Sequence, residues 1–390
     1  MLYLLLAGLC LWSGPAAAQP ALTSRSVPAP GQLPDARFAQ GVSASYAGVS
    51  DTLVWWAGGC NFPDTPAADG GKKVYYDVVL VAPLRARSGQ WRVAGRLPRA
   101  AAYGVGIGLP DGLLCIGGAS ASGPLADVWR LSLAADGRSL VCDTLPPLPV
   151  PTDNLCGALV GDRVYVAGGN AAGVPTVRVY SLSLRNPAGG WRAEASLPGE
   201  PRTQAVAVGL QRGGEDCLFV FGGFAAAGGG RDASLSTSSL CYTPSTRSWI
   251  EVAAPVDASG QAISLGGGSG YAVDRTRALC LGGVDKDIFL AALRREAQTA
   301  RAAAAGDTAT VARLKAEAYR YMTQPPAAYR LNDRVLAYDA AADAWHVVAR
   351  VPQAARAGAA LAGRDHSFFW INGEEKPGIR SPQIWLFRWK

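Results

Sequence analysis

The sequence predicts an all-β fold: a six-bladed β-propeller with a short helical insertion in its fifth blade. Three observations predict it. Gly-Gly pairs close apolar runs at a recurring interval, a Trp–Leu-Pro–Arg element follows most of them, and one Ala-, Leu- and Arg-rich stretch interrupts the recurrence. The composition agrees. With 47 Gly, 26 Pro and only 17% charged residues in 390, the chain has the balance expected of many short strands joined by tight turns.

The pairs are Gly58-Gly59, Gly117-Gly118, Gly168-Gly169, Gly222-Gly223 and Gly282-Gly283, and a sixth run, Phe368 to Ile371, ends in the degenerate Asn372-Gly373. Successive first positions lie 59, 51, 54, 60 and 90 residues apart. The second half of the unit reads Trp91…Leu97-Pro98-Arg99, Trp191…Leu197-Pro198…Arg202 and Trp345…Val351-Pro352…Arg356. In the second unit Cys142 stands where Trp is expected, and the fourth, Trp249…Ala254-Pro255, lacks the Arg. A period near 50 residues with one four-stranded sheet per unit is the kelch arrangement.

The sixth unit has no Leu-Pro element after it, whereas Leu33-Pro34-Asp35-Ala36-Arg37 stands at the other end. The N-terminal segment is therefore expected to supply the outer strand of the last blade, so that residues 19–390 form one domain with no open sheet edge. The long fifth interval holds the insertion, residues 287–325. Its helical composition, broken at Gly306-Asp307, predicts two short helices, the second capped by Asp307 or Thr308.

Residues 1–18 read as a cleaved secretory leader: an apolar run from Leu2 to Trp12, too short to span a bilayer, followed by small residues at Pro15 to Ala18. A periplasmic or secreted protein is expected, with no membrane insertion. Cleavage leaves seven cysteines. Cys115 and Cys280 sit in apolar runs as small hydrophobes, and no Cys-x-x-Cys spacing suggests zinc. The formal charge of +7 comes from scattered basic residues, which argues against a nucleic-acid partner and allows a basic pocket for an acidic small molecule.

In an up-and-down blade the second strand ends where the first began. The segments after each Gly-Gly pair and those opening each blade then share one face. Arg37, Arg99, Arg202 and Arg356 are expected to gather at one mouth of the central channel, with Asn61 to Lys73, Asp285 to Arg330 and Glu374 to Arg380. Four arginines converging there would make an anion pocket. Glu374 and Glu375, in the loop after Asn372-Gly373, are candidate acid or base groups. His346 and His366 are the only histidines, too few for a His-rich metal centre, a copper-radical site or a Ser-His-Asp triad. The Gly-rich stretches Gly228 to Gly230 and Gly266 to Gly268 lack a following Lys-Ser or Lys-Thr, so no phosphate loop is present.

The segment Trp370-Ile371-Asn372-Gly373-Glu374-Glu375-Lys376-Pro377-Gly378-Ile379-Arg380 resembles the Asn-Gly-Glu-x-Lys-Pro-Gly-x-Arg segment of the bacterial N-acetylneuraminate epimerases. Gly282 to Phe289 with its helical continuation, Pro201-Arg202-Thr203-Gln204, and Arg99 to Gly104 are similar to further segments of that family. Lys72-Lys73-Val74-Tyr75 and Arg99 to Gly104 come early here where the family has them late, which resembles its circularly permuted mutarotase branch. A closed ring tolerates such permutation. Thr203 stands where the family commonly has Asp.

The resemblance implies an exported propeller that interconverts sialic acid anomers without a cofactor, its partner a small sugar acid. Glu374 would accept the proton. Arg202 or Arg380 would hold the substrate carboxylate, Tyr103 would donate to a ring or acetamido oxygen, and Gln204, Arg99, Asn372, Lys376 and Arg356 would line the binding site. Two other readings compete. A non-catalytic kelch module would bind a protein or glycan on the same face, and a sialidase is disfavoured by the absence of Ser-x-Asp-x-Gly-x-x-Thr-Trp repeats.

Overall fold

The computed structural model describes residues 22–31, 33–84 and 90–389, and the expected leader lies outside them. The chain is mostly β. Five four-stranded antiparallel sheets follow one another, beginning with Tyr46–Val49, Val105–Leu109, Cys156–Val160, Val206–Arg212 and Gly268–Ala272, each with its strands in chain order. A sixth sheet takes its first three strands from Ala360–Arg364, Ser367–Ile371 and Ile384–Trp389. Its fourth is the N-terminal strand Leu22–Val27, antiparallel to the last, with Leu22 opposite Trp389 and Val27 opposite Ile384.

Burial follows position within the sheet. The second strand Gly112–Ile116 is apolar throughout and wholly buried, and the other second strands are buried beyond their first one or two residues, because neighbouring sheets cover both faces. Four of the first strands alternate, as in Cys156–Val160, and fourth strands leave Val93, Val141, Ile250 and Val347 exposed. The first strands of consecutive sheets pack against one another, and that of the sixth packs against that of the first.

A closed cycle of six backbone hydrogen bonds runs where these strands begin. Ala44 N–H donates to Gly358 (2.7 Å), Tyr103 to Ala44 (2.8 Å), Asn154 to Tyr103 (2.8 Å), Gln204 to Asn154 (2.8 Å), Gly267 to Gln204 (2.9 Å) and Gly358 to Gly267 (2.8 Å). All six residues have left-handed φ, between 48° and 73°. Four of them carry side chains there, and the cycle holds each in a conformation it would otherwise avoid.

The Gly-Gly pairs join sheet to sheet. At Gly168 φ is +65°, and a Cβ would lie 2.1 Å from the Arg202 carbonyl oxygen, so no side chain fits. The next residue, Gly169, donates its N–H to that same oxygen (2.8 Å), and Gly59, Gly118 and Gly283 make the equivalent bond to Ala101, Thr152 and Arg356. In the sixth sheet Gly373 donates to Val42 (3.0 Å), on the segment that leads into the first sheet. The recurring tryptophans add a second link: Trp191, Trp249 and Trp345 donate Nε1–H to the carbonyls of Pro146, Ala195 and Ala253.

The connection between second and third strands folds into a small two-stranded hairpin in five sheets. In the fifth sheet it is a helical pair instead, α1 (Lys286–Ala304) and α2 (Thr308–Thr323). Asp285 caps α1, accepting from Asp287 and Ile288 N–H, and Asp307 caps α2, accepting from Thr310 N–H. Because Tyr46 pairs with Ala57, the Gly-Gly pairs, the hairpins, the helices and the backbone cycle all lie at one end of the sheets.

Candidate active site beneath the helical pair

The hairpin after Asn372-Gly373 pairs Glu374–Lys376 with Ile379–Arg380 around the turn at Pro377-Gly378, and Glu374 stands opposite Arg380. Opposite residues of an antiparallel pair put their side chains on one face. That register delivers the carboxylate to the guanidinium: Arg380 Nη1 lies 2.6 Å from Glu374 Oε1. The Arg380 side chain is 2% exposed and that of Glu374 30%. Arg380 also donates Nε–H to Ser43 Oγ (3.0 Å) and stacks on the Phe62 ring at 5.1 Å. Burial pulls the Arg380 pKa down, but Glu374, Tyr103 and Cys60 together outweigh it and the net direction is up.

Tyr103 belongs to the backbone cycle, and its hydroxyl accepts a hydrogen bond from Lys73 Nζ (2.9 Å). Burial pushes its phenol well above the ordinary range, Glu374 adding to the effect, so the hydroxyl stays protonated.

These groups floor a cavity of about 760 Å³ that the helical pair roofs. Phe62, Lys73, Tyr103, Glu374 and Arg380 form the floor, and Phe289, Arg295, Lys315 and Tyr321 come from the helices. The roof is tied down at three separate sheets. Tyr319 Oη–H donates to Asp69 Oδ1 (3.3 Å), Phe289 packs edge-on against Phe224 (4.7 Å), and Lys376 Nζ donates to the Gln324 carbonyl (3.1 Å). On the other side of Tyr103 a narrower polar channel of about 180 Å³ follows the cycle, lined by Asn154 and Gln204.

The expected residues divide accordingly. Glu374, Arg380 and Tyr103 meet at the cavity. Arg202 does not reach it: its Nη1 donates to the carbonyls of Gly222 (3.1 Å) and Ser238 (2.9 Å), and its Nη2 to Ser238 Oγ (2.6 Å). Arg356 repeats this in the sixth sheet, donating to the carbonyls of Asn372 (2.9 Å) and Gln383 (3.3 Å) and to Gln383 Oε1 (2.8 Å). Arg37 and Arg99 are exposed, and Arg37 pairs with Asp35. The expected ring of four arginines at one mouth therefore does not form, because two satisfy backbone carbonyls and two face solvent.

Asn372 is buried with φ +52° in the place of a first glycine, its Oδ1 accepting from Val42 N–H. Gln204 sits in the cycle and donates Nε2–H to Asn154 Oδ1 (2.7 Å), and Lys376 anchors the roof. These three shape the site from behind. The cavity residues given no role from sequence are Phe62, Lys73, Arg295 and Tyr321, of which only Lys73 lies in a segment quoted for the resemblance. All lie in segments assigned to this face, but nothing in their spacing distinguishes them.

Among the described residues no group of three or more His, Cys, Asp or Glu could hold a metal ion. No helix among them is long and apolar enough to cross a membrane. All seven described cysteines are unpaired, and Cys115 and Cys280 are fully buried in their strands.

The family model for N-acetylneuraminate epimerase matches residues 145–390. The N-acetylneuraminate epimerase of Yersinia enterocolitica is 33% identical over 246 residues, 62% of this chain and 56% of the relative. That of Yersinia pestis strain Pestoides F is 32% identical over 263 residues, 67% and 62%, and that of Haemophilus influenzae strain PittEE 30% over 240 residues, 62% and 58%. The chain thus spans roughly six-tenths of the length of the curated relatives it matches. The solved structure of YjhT superposes with a TM-score of 0.51 at 26% identity, covering 63% of this chain and 67% of YjhT. Glu374, Arg380 and both helices fall inside the family match, which takes in well over half of the chain. By that match, this protein belongs to the N-acetylneuraminate epimerase family.

Proposed function

We propose that the protein interconverts the α and β anomers of N-acetylneuraminate in the cavity beneath the helical pair. One observation carries the reading: a partly exposed carboxylate, Glu374, oriented by a buried arginine at the floor of a sugar-sized cavity. Glu374 removes the proton of the anomeric hydroxyl while the ring oxygen gains one, and the bond from anomeric carbon to ring oxygen breaks. The resulting open-chain keto acid recloses on the other carbonyl face, and the protons return. Only protons move, so the reaction requires no cofactor. Each positioned proton transfer contributes about 10²- to 10⁴-fold. Tyr103, kept protonated by burial and lining the same cavity, is the proposed donor to the ring oxygen.

The six sheets are read as blades of one kelch-type propeller, with the helical pair inserted in the fifth and the start of the chain permuted relative to the family. The closed hydrogen-bond cycle and the pairing of Leu22–Val27 with the last strand support that reading. Export through a leader over residues 1–18 belongs to the same proposal.

The test is proton NMR of α-N-acetylneuraminate freshly released by a sialidase. The protein is expected to speed the approach to the β-rich equilibrium, and Glu374→Gln, which keeps an oxygen acceptor for Arg380, to remove most of that acceleration while still folding cooperatively. No acceleration by the folded wild-type protein overturns the activity. Full acceleration by Glu374→Gln removes Glu374 as the base.

A further inference from the structure

Arg202 is engaged by carbonyls away from the cavity, and Arg380 is already committed through Nε–H to Ser43 and through Nη1 to Glu374, so both arginines expected to hold the substrate carboxylate have partners within the protein. Three other cations line the cavity: Lys73, Arg295 and Lys315. Arg295 lies 3.7 Å from Glu317 and stacks on Tyr321 at 5.4 Å. Lys315 is exposed on the roof. Lys73 differs from both. It stands on the floor, half-buried, between the rings of Phe62 (5.8 Å) and Tyr103 (4.6 Å), and no ion pair among the described residues engages it.

We infer that Lys73 is the residue that binds the substrate's carboxylate, an inference that rests on the activity proposed above. In a 2-keto acid sugar the carboxylate is bonded to the anomeric carbon itself. The cation that binds it must therefore stand close to the base that takes the anomeric proton. Lys73 meets this condition: it and Arg380 flank the same Phe62 ring, and it touches Tyr103, which feels the charges of both Arg380 and Glu374. Its bond to Tyr103 uses one of three N–H groups, so two remain for an anion. The two aromatic faces stabilise the ammonium without neutralising it, which a carboxylate partner would do. Arg380 then serves Glu374, Lys73 serves the substrate, and the site selects sugar acids over neutral sugars.

The experiment compares N-acetylneuraminate with its methyl ester, which keeps the anomeric hydroxyl and loses the charge, by NMR exchange kinetics in the wild type, Lys73→Met and Lys73→Arg. Losing one charge-assisted contact should raise KM for the acid roughly 10- to 100-fold with kcat changed only a few-fold. The ester should be handled alike by wild type and Lys73→Met, and Lys73→Arg should recover most of the affinity for the acid. An unchanged KM for the acid in Lys73→Met overturns the assignment. So does an equal loss for acid and ester with no recovery in Lys73→Arg, the pattern of a merely structural lysine. Calorimetric binding of acid against ester keeps the two proposals apart. If wild type binds the acid preferentially through Lys73 but accelerates neither sugar, the activity falls and the anion site stands.

Discussion

Glu194 and Glu374 are both glutamates bound by arginine at the edge of a β-hairpin, and they differ in what remains unsatisfied. Glu194, beside the outer strand Arg192–Ala193 of the third sheet, has no side-chain exposure. It accepts from Ser181 Oγ (2.7 Å), Tyr242 Oη (2.8 Å) and Arg192 Nε (2.7 Å), with Arg247 Nε at 3.3 Å. Tyr242 and Arg247 belong to the fourth sheet, so the carboxylate fastens two sheets and every lone pair is occupied. Glu374 has one arginine, and the rest of its carboxylate faces a cavity. A saturated acid is scaffold. An acid held by one partner and open on the other side is oriented yet free to take a proton.

The largest expected effect tests the open member. Glu374→Gln should lower mutarotation by about 10²- to 10⁴-fold. The saturated member should behave in the opposite way. Glu194→Ala strands the buried hydroxyls of Ser181 and Tyr242, while the half-exposed guanidiniums of Arg192 and Arg247 turn to solvent, and is expected to cost on the order of 2–4 kcal/mol in urea unfolding, with turnover per folded molecule unchanged. A fall in turnover per folded molecule would erase the distinction between the two sites.

Acid titration sharpens the comparison on a smaller scale. Burial pushes the Glu194 pKa up, but the hydrogen bonds from Ser181, Tyr242 and Arg192 outweigh it and the net direction is down. A carboxylate whose folded pKa lies below its unfolded value stabilises the fold above the unfolded pKa, about 4.3. That stabilisation is lost as pH falls through the lower folded value. Wild-type stability should therefore decline below about pH 4.3, and Glu194→Gln should flatten the slope there. An identical slope in the variant would assign acid sensitivity to other carboxylates.

The same contrast explains what could be read from sequence. The Gly-Gly spacing is legible because the geometry tolerates nothing else: at Gly168 both φ and the Arg202 carbonyl exclude a Cβ. The degenerate Asn372 is legible as its substitute because Asn accepts left-handed φ. The repeated arginines are just as visible and misleading. A residue that recurs with the repeat belongs to the construction of the repeat, and Arg202 and Arg356 serve the carbonyls of their own sheets. Glu374 and Arg380 stand outside the pattern, six residues apart across a Pro-Gly turn, a spacing that brings them opposite each other. For Lys73 the resemblance marks the segment Lys72 to Tyr75 but not a role, because that role depends on Phe62, Tyr103 and a roof supplied by residues more than two hundred positions away. The backbone cycle is equally silent in the sequence, since Ala44, Tyr103, Asn154 and Gln204 share a conformation and no chemistry.

The smallest effect concerns the cations. Arg192 is 49% exposed, so solvent already screens its pairing with Glu194. When it is removed, Glu194 keeps Ser181, Tyr242 and Arg247. Arg192→Met is therefore expected to cost no more than about 1 kcal/mol, and added salt should shrink the difference between variant and wild type. Glu374 has no such reserve: Arg380, 2% exposed, is the only arginine on it among the described residues. If Arg192→Met proved as costly as Glu194→Ala, the buried carboxylate would depend on that one exposed partner, and redundancy of partners would no longer separate the scaffold acid from the acid at the cavity.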